Sequence, residues 1–108
     1  MDNELQIMEI IGGAGTSKAH AFSALACVRE HDYEGAREAL KQAKEADLKA
    51  HEAQTQIITA ALSGAENAAA ANLLMVHAQD HYMTSQLARD LIEEIVKIFE
   101  ARDAEKAE

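Results

Sequence analysis

The chain is predicted to be all-α, an antiparallel three-helix bundle, and three observations predict it. Apolar residues recur at steps of three and four along three long stretches, about 4–29, 32–62 and 67–101, the repeat of a helix with one buried face. Proline is absent from all 108 residues, so nothing breaks these stretches from within. Turn chemistry is confined to His31-Asp32 and Ser63-Gly64. A chain of this length is one domain, 1–108, without internal repeat or linker.

In the first stretch the series Ile7, Ile11, Ala14, Lys18, Ala21, Leu25 and Val28 marks the face to be buried, with Met8, Gly15, Phe22 and Ala26 beside it. Gly12, Gly13 and Gly15 each cost a helix roughly 1 kcal/mol relative to Ala, which close approach of another backbone would offset. The run Gly13-Ala14-Gly15-Thr16-Ser17-Lys18 is no phosphate loop, because that motif needs Gly-Lys-Ser/Thr in this order after a strand.

Asp32 is expected to cap the second helix, since its carboxylate can accept from the free N–H groups of the first turn, where Glu34 also suits the dipole. The seam of that helix is Tyr33, Ala36, Leu40, Ala43, Asp47, Ala50, Gln54, Ile57 and Ala61. Asp47 and Gln54 interrupt it, and read as register-fixing or partly solvated polar residues. Gly64 stops the helix. An Ala-rich lead-in then opens the third helix at Asn67 or Ala70. Its apolar series, Leu73, Leu74, Leu87, Ala88, Leu91, Ile95 and Ile98, is read as a buried stripe, and the charged 102–108 segment is expected to fray.

That third stripe is interrupted by His77, Asp80, His81 and Thr84. At about 3.6 residues per turn, Asp80 lies roughly 60° to one side of His77 and His81 roughly 40° to the other, so all three share a face. Polar groups on a buried stripe need partners. Imidazole is also the side chain that serves as a neutral nucleophile near pH 7. The residues alone leave several readings open. They admit hydrogen-bonded core histidines, a nucleophilic histidine, a helical adaptor without chemistry, or a metal-binding protein or hydrolase using His77, Asp80 and His81. The metal reading lacks the Glu of His-Glu-x-x-His and any distant ligand besides His51.

Composition narrows the partners. A formal charge of −9 disfavours nucleic acid and anionic membrane, which call for basic patches. The lone Cys27 forms no internal disulfide and no thiolate cluster, and is read as a small buried hydrophobe. With two Tyr, two Phe and no Trp the core is thin, and small domains bury a small share of their surface, so association of copies is the natural remedy. No leader-like or membrane-length apolar run is present, and a cytoplasmic protein is expected.

The run His77-Ala78-Gln79-Asp80-His81, followed by Met83-Thr84 and preceded by Leu73-Leu74-Met75-Val76, resembles the active-site signature of the lactose/cellobiose (diacetylchitobiose) IIA components of the phosphoenolpyruvate-dependent sugar phosphotransferase system. Ala50-His51-Glu52-Ala53-Gln54-Thr55 is similar to the family's Ala-His-x-x-Gln-Thr. Tyr82, where Leu is usual, and the Ala-rich lead-in depart from the pattern. The resemblance implies a phosphotransferase component, homotrimeric, that accepts a phosphoryl group from HPr on His77 and passes it to a IIB cysteine during uptake of a β-linked disaccharide. It implies that Asp80 from three copies shares one Mg²⁺ per trimer. It also suggests that His81 positions His77 or its phosphate.

Overall fold

The computed structural model describes residues 4–62 and 73–107. The turn expected at Ser63-Gly64 and the helix start expected at Asn67 or Ala70 therefore lie outside the described residues. The described chain forms α1 (Glu4–Arg29), α2 (Tyr33–Leu62) and α3 (Leu73–Ala107), packed up-down-up in a rod 63 Å long and under 20 Å wide.

The first turn is tight because two motifs share it. The Cys27 carbonyl accepts from Asp32 N (2.9 Å) and the Val28 carbonyl from His31 N (2.9 Å), the pattern that closes a helix around a left-handed residue. That residue is His31, at φ 59°. Asp32 then caps α2, its Oδ1 accepting from Gly35 N at 2.9 Å. A side chain at Gly35 would run into this capping carboxylate.

The glycines of α1 divide by environment. A Cβ on Gly13 would stand 3.0 Å from the Ala46 carbonyl oxygen and 3.2 Å from Ala50 Cβ, so here two helix backbones do approach closely. Gly12 and Gly15 face open space, which corrects the expectation for those two. Gly12→Ala and Gly15→Ala should each stabilise the fold by about 0.5–1 kcal/mol, while Gly13→Ala should lose that gain to the clash with α2. Thermal denaturation of the three variants checks this.

The core falls into two apolar clusters. One joins Ala21, Ala24, Val28, Ala36, Leu40, Ala43, Ile92 and Val96; the other joins Ile7, Ile10, Ala50, Ala53, Ile57, Ala78 and Tyr82. Between them lies a buried polar layer of Ser17, Asp47 and Ser85, one from each helix. Ser85 Oγ donates to Asp47 Oδ1 at 3.0 Å. Arg89 Nη1 stands 3.0 Å from Asp47 Oδ2, close enough for an ion pair though off the hydrogen-bonding line. Asp47 is thus the register-fixing residue of the α2 seam.

Two expectations for buried faces shift. In α1 the buried residues between Ile7 and Val28 include Ile10, Ser17 and Ala24, while Ile11, Lys18 and Leu25, each one position later, are half-buried. In α3 the correction is larger. The inner face is Ala78, Tyr82, Ser85, Ile92 and Val96, whereas Leu74, Leu87, Leu91 and Ile98 of the expected stripe are exposed. Leu87, Leu91 and Ile98 lie on the opposite side of α3 from the core of their own chain, while Ala88 of the same expected stripe packs half-buried against the first cluster. Cys27 is half-buried against the first cluster rather than fully inside it.

Nor does α3 fray after Ala101; it continues to Ala107. Asp103 explains this. It accepts from the Tyr33 hydroxyl and bonds His31 Nδ1 at 2.6 Å, which ties the last turns of α3 to the α1–α2 turn. These partners hold the Asp103 carboxyl below the usual carboxylate range, the Tyr33 bond first, while the Tyr33 phenol is pushed up to about 12.

Candidate functional site

Helix α3 carries the site, and its exposed flank presents the chemistry. His77 and His81 follow one another by a single turn, and their rings meet edge to face with centroids 4.4 Å apart. His77 Nε2 lies 3.0 Å from His81 Nε2. A hydrogen bond between two imidazole nitrogens requires one to carry the proton and the other to offer its lone pair. With His81 Nε2–H as donor, His77 Nε2 is the basic nitrogen, and its proton sits on Nδ1. His77 is exposed and His81 half-buried, so the edge of the His77 ring is open to solvent.

The other two polar residues serve differently. Thr84 is exposed and its hydroxyl is used locally, donating to the Asp80 carbonyl (2.7 Å) of its own helix. Asp80 is exposed, and no described residue pairs with its carboxylate. It stands in a row with Val76, Met83, Leu87, Leu91 and Ile98, all exposed, at intervals of four, three, four, four and seven. Such spacing puts them on one face of α3, the seam spacing of helices that pair with helices.

The metal reading of His77, Asp80 and His81 fails within the chain. Among the described residues no three His, Cys, Asp or Glu side chains converge to hold an ion, and the two imidazoles are turned toward each other.

Behind the site two hydrogen bonds join α2 to α3. Gln54 Nε2 donates to Gln79 Oε1 at 2.6 Å, and His51 Nδ1 lies 3.1 Å from the Tyr82 hydroxyl. The sequence marked His51 and Gln54 by their motif but not their partners. Helical spacing was the available signal, since residues 51 and 54 share a face of α2, as do 79 and 82 on α3. No described helix is long and apolar enough to cross a membrane.

Comparison with known proteins accords with this arrangement. Residues 5–100 match the family model described as the PTS system, Lactose/Cellobiose specific IIA subunit. The chain is 36% identical over 102 residues to the lichenan-specific phosphotransferase enzyme IIA component of Bacillus subtilis, covering 93% of this chain and 91% of that one. It is 35% identical over 94 residues to the N,N'-diacetylchitobiose-specific EIIA component of Escherichia coli, covering 87% and 79%. Among solved structures, the PTS cellobiose-specific enzyme IIA from Bacillus anthracis superposes with a TM-score of 0.88 at 28% identity, over 96% of this chain and 94% of that one. A chain of the IIA(Chitobiose)-HPr complex of the Escherichia coli phosphotransferase system superposes with a TM-score of 0.80 at 33% identity, over 95% and 98%. With the family model matching residues 5–100 and relatives more than 30% identical over most of both chains, the chain belongs to the lactose/cellobiose-specific IIA family of the sugar phosphotransferase system.

Proposed function

We propose that the protein is a phosphoryl carrier whose His77 takes the phosphoryl group from phospho-HPr and gives it to a cysteine of a sugar-specific IIB component. The observation that carries this reading is the His77–His81 pair, which leaves His77 Nε2 basic, exposed and oriented. Its lone pair attacks phosphorus as the P–N bond to the HPr imidazole breaks, and that imidazole departs with the bonding electrons. The His81 N–H released from Nε2 is then within reach of a phosphoryl oxygen. The proton kept on His77 Nδ1 makes the ring a good leaving group when the IIB sulfur attacks in turn. Phosphoryl transfer of this kind asks for in-line positioning and balanced charge, which one oriented histidine supplies. Incubation with phosphoenolpyruvate, Enzyme I and HPr should add one acid-labile phosphoryl group per chain; no incorporation would end the reading.

The relatives include components named for lichenan, diacetylchitobiose, lactose, cellobiose and galactose, most of them β-linked, which supports a β-linked substrate. A β-linked disaccharide is therefore the substrate whose uptake this carrier serves, and the cytoplasm its place of work. The working form is a homotrimer built on the exposed row of α3. Three copies bring three Asp80 carboxylates together, which repel strongly in a poorly hydrated seam. The unpaired carboxylate in an apolar row fits a shared Mg²⁺, a hard ion that takes oxygen ligands and would neutralise the three. Analytical ultracentrifugation should give the mass of three chains in Mg²⁺, and Asp80→Asn should make association independent of the ion. A monomer at micromolar concentration with and without Mg²⁺ would contradict the assembly.

A further inference from the structure

At the level of His77 the bundle is thin inside. Ala50, Ala53 and Ala78 are fully buried there, and Tyr82 is the one aromatic ring of that cluster. Its hydroxyl meets two groups, Gln86 Nε2 at 3.1 Å and His51 Nδ1 at 3.1 Å. An amide nitrogen only donates, so Gln86 fills one oxygen lone pair and the phenolic proton remains available to His51.

We propose that Tyr82 and His51 are positioning residues of the transfer site: the Tyr82 hydroxyl donates to His51 Nδ1, holds His51 in its neutral Nε2–H tautomer, and fixes against α2 the turn of α3 that carries His77 and His81. This rests on His77 as the carrier. The Gln54–Gln79 bond adds a second link on the same side, so the pair resists rotation of α3 about its axis. A side chain about 6 Å from a helix axis moves about 1 Å for a 10° rotation, and a displacement of that size costs up to about a hundredfold in a transfer that depends on alignment.

The link is proton-sensitive. Protonation of His51 turns Nδ1 into a donor, so the phenol oxygen faces two donors and its own hydrogen has no acceptor. The charges around this contact come from each helix. On α2, Asp47 lies one turn before His51 and Glu52 beside it. On α3, Arg89 acts with Asp47 as the charges felt at the phenol, whose ionisation is pushed up mainly by burial. From α1, Ile7 and Ile10 meet this level, and Glu9 stands across the α1–α2 groove with Lys49.

Two measurements test the proposal on the full chain. Nitrogen-15 imidazole shifts at pH 7.5 should show His51 as the Nε2–H tautomer, and as a tautomer mixture in Tyr82→Phe. Rates of phosphorylation by phospho-HPr, taken from pH 5.5 to 8.5, should place Tyr82→Phe roughly fivefold below the parent at pH 8, with the gap closing as pH falls. His51→Asn supplies an acceptor that does not protonate, so it should keep the parent rate at pH 8 and a constant ratio to Tyr82→Phe at every pH. An Nδ1–H tautomer at His51, or a parent-to-Tyr82→Phe ratio that is flat with pH, overturns the positioning role alone. A parent that takes up no phosphoryl group overturns the carrier reading and this role with it.

Discussion

His77→Gln is expected to abolish phosphoryl uptake from phospho-HPr while leaving the helical circular-dichroism spectrum and thermal midpoint unchanged. The reason lies in where His77 stands. It is exposed on α3, hydrogen-bonds His81 and belongs to neither core cluster, so its loss removes no core packing. Surface substitutions away from packed features stay within about 0.5 kcal/mol. His81→Gln should behave differently, retaining the phosphorylation site but slowing transfer at least about tenfold, because a preoriented donor to the phosphoryl oxygens is lost. Phosphorylation followed by native gel shift and mass spectrometry reads both variants. The reverse pattern, with His81→Gln silent to phosphate and His77→Gln merely slowed, would mean that the two imidazoles exchange roles.

The largest effect on stability is expected at Asp47→Ala. Asp47 is 3% exposed in its side chain and Arg89 19%, and they meet in the layer that separates the two apolar clusters. Removing the carboxylate leaves the Arg89 guanidinium mostly desolvated, with Asp90 at 3.7 Å, and leaves the Ser85 hydroxyl only the Tyr82 carbonyl of its own helix. Breaking such a pair costs about 3 kcal/mol or more, which lowers the midpoint by roughly 10 °C or more in a domain of this size. Asp47→Ala combined with Arg89→Met should recover much of that loss, because no unpaired charge then remains inside. Urea or thermal denaturation of the single and double variants checks the comparison.

The three-helix fold was legible because it rests on periodicity and turn chemistry. In α2 the seam from Ala36 through Leu40, Ala43, Asp47 and Ala50 to Ile57 is buried in the structure, and Asp32 caps as its side chain and position suggest. What periodicity could not decide was which apolar face meets its own chain. Leu87, Leu91 and Ile98 are more apolar than Ala78, Ser85 and Tyr82, so a reading by hydrophobicity puts the wrong side of α3 inward. Small residues permit close packing within the chain while the bulky ones remain outside it. In α1 three of the seven seam positions fell one residue late, Ile11, Lys18 and Leu25 in place of Ile10, Ser17 and Ala24, because steps of three and four leave the choice between adjacent residues open.

The motif around His77 was legible, and so was the sharing of one helical flank by His77 and His81. Their mutual hydrogen bond was not, since spacing gives proximity but no ring orientation. Asp103 escaped notice for another reason: a charged tail after a long helix reads as solvated, and its partners His31 and Tyr33 lie some seventy residues away. Tyr82 was visible as a departure from the family pattern, but its bond to His51 depends on the register of α2 against α3.

The central claim, that His77 carries the phosphoryl group on Nε2 because His81 leaves that nitrogen basic, is tested most directly by phosphorus–nitrogen coupling in the phosphorylated, nitrogen-15-labelled protein. The account predicts a single phosphohistidine at residue 77, coupled through Nε2 with the proton retained on Nδ1. A phosphoryl group found on Nδ1, or on His81, would contradict it.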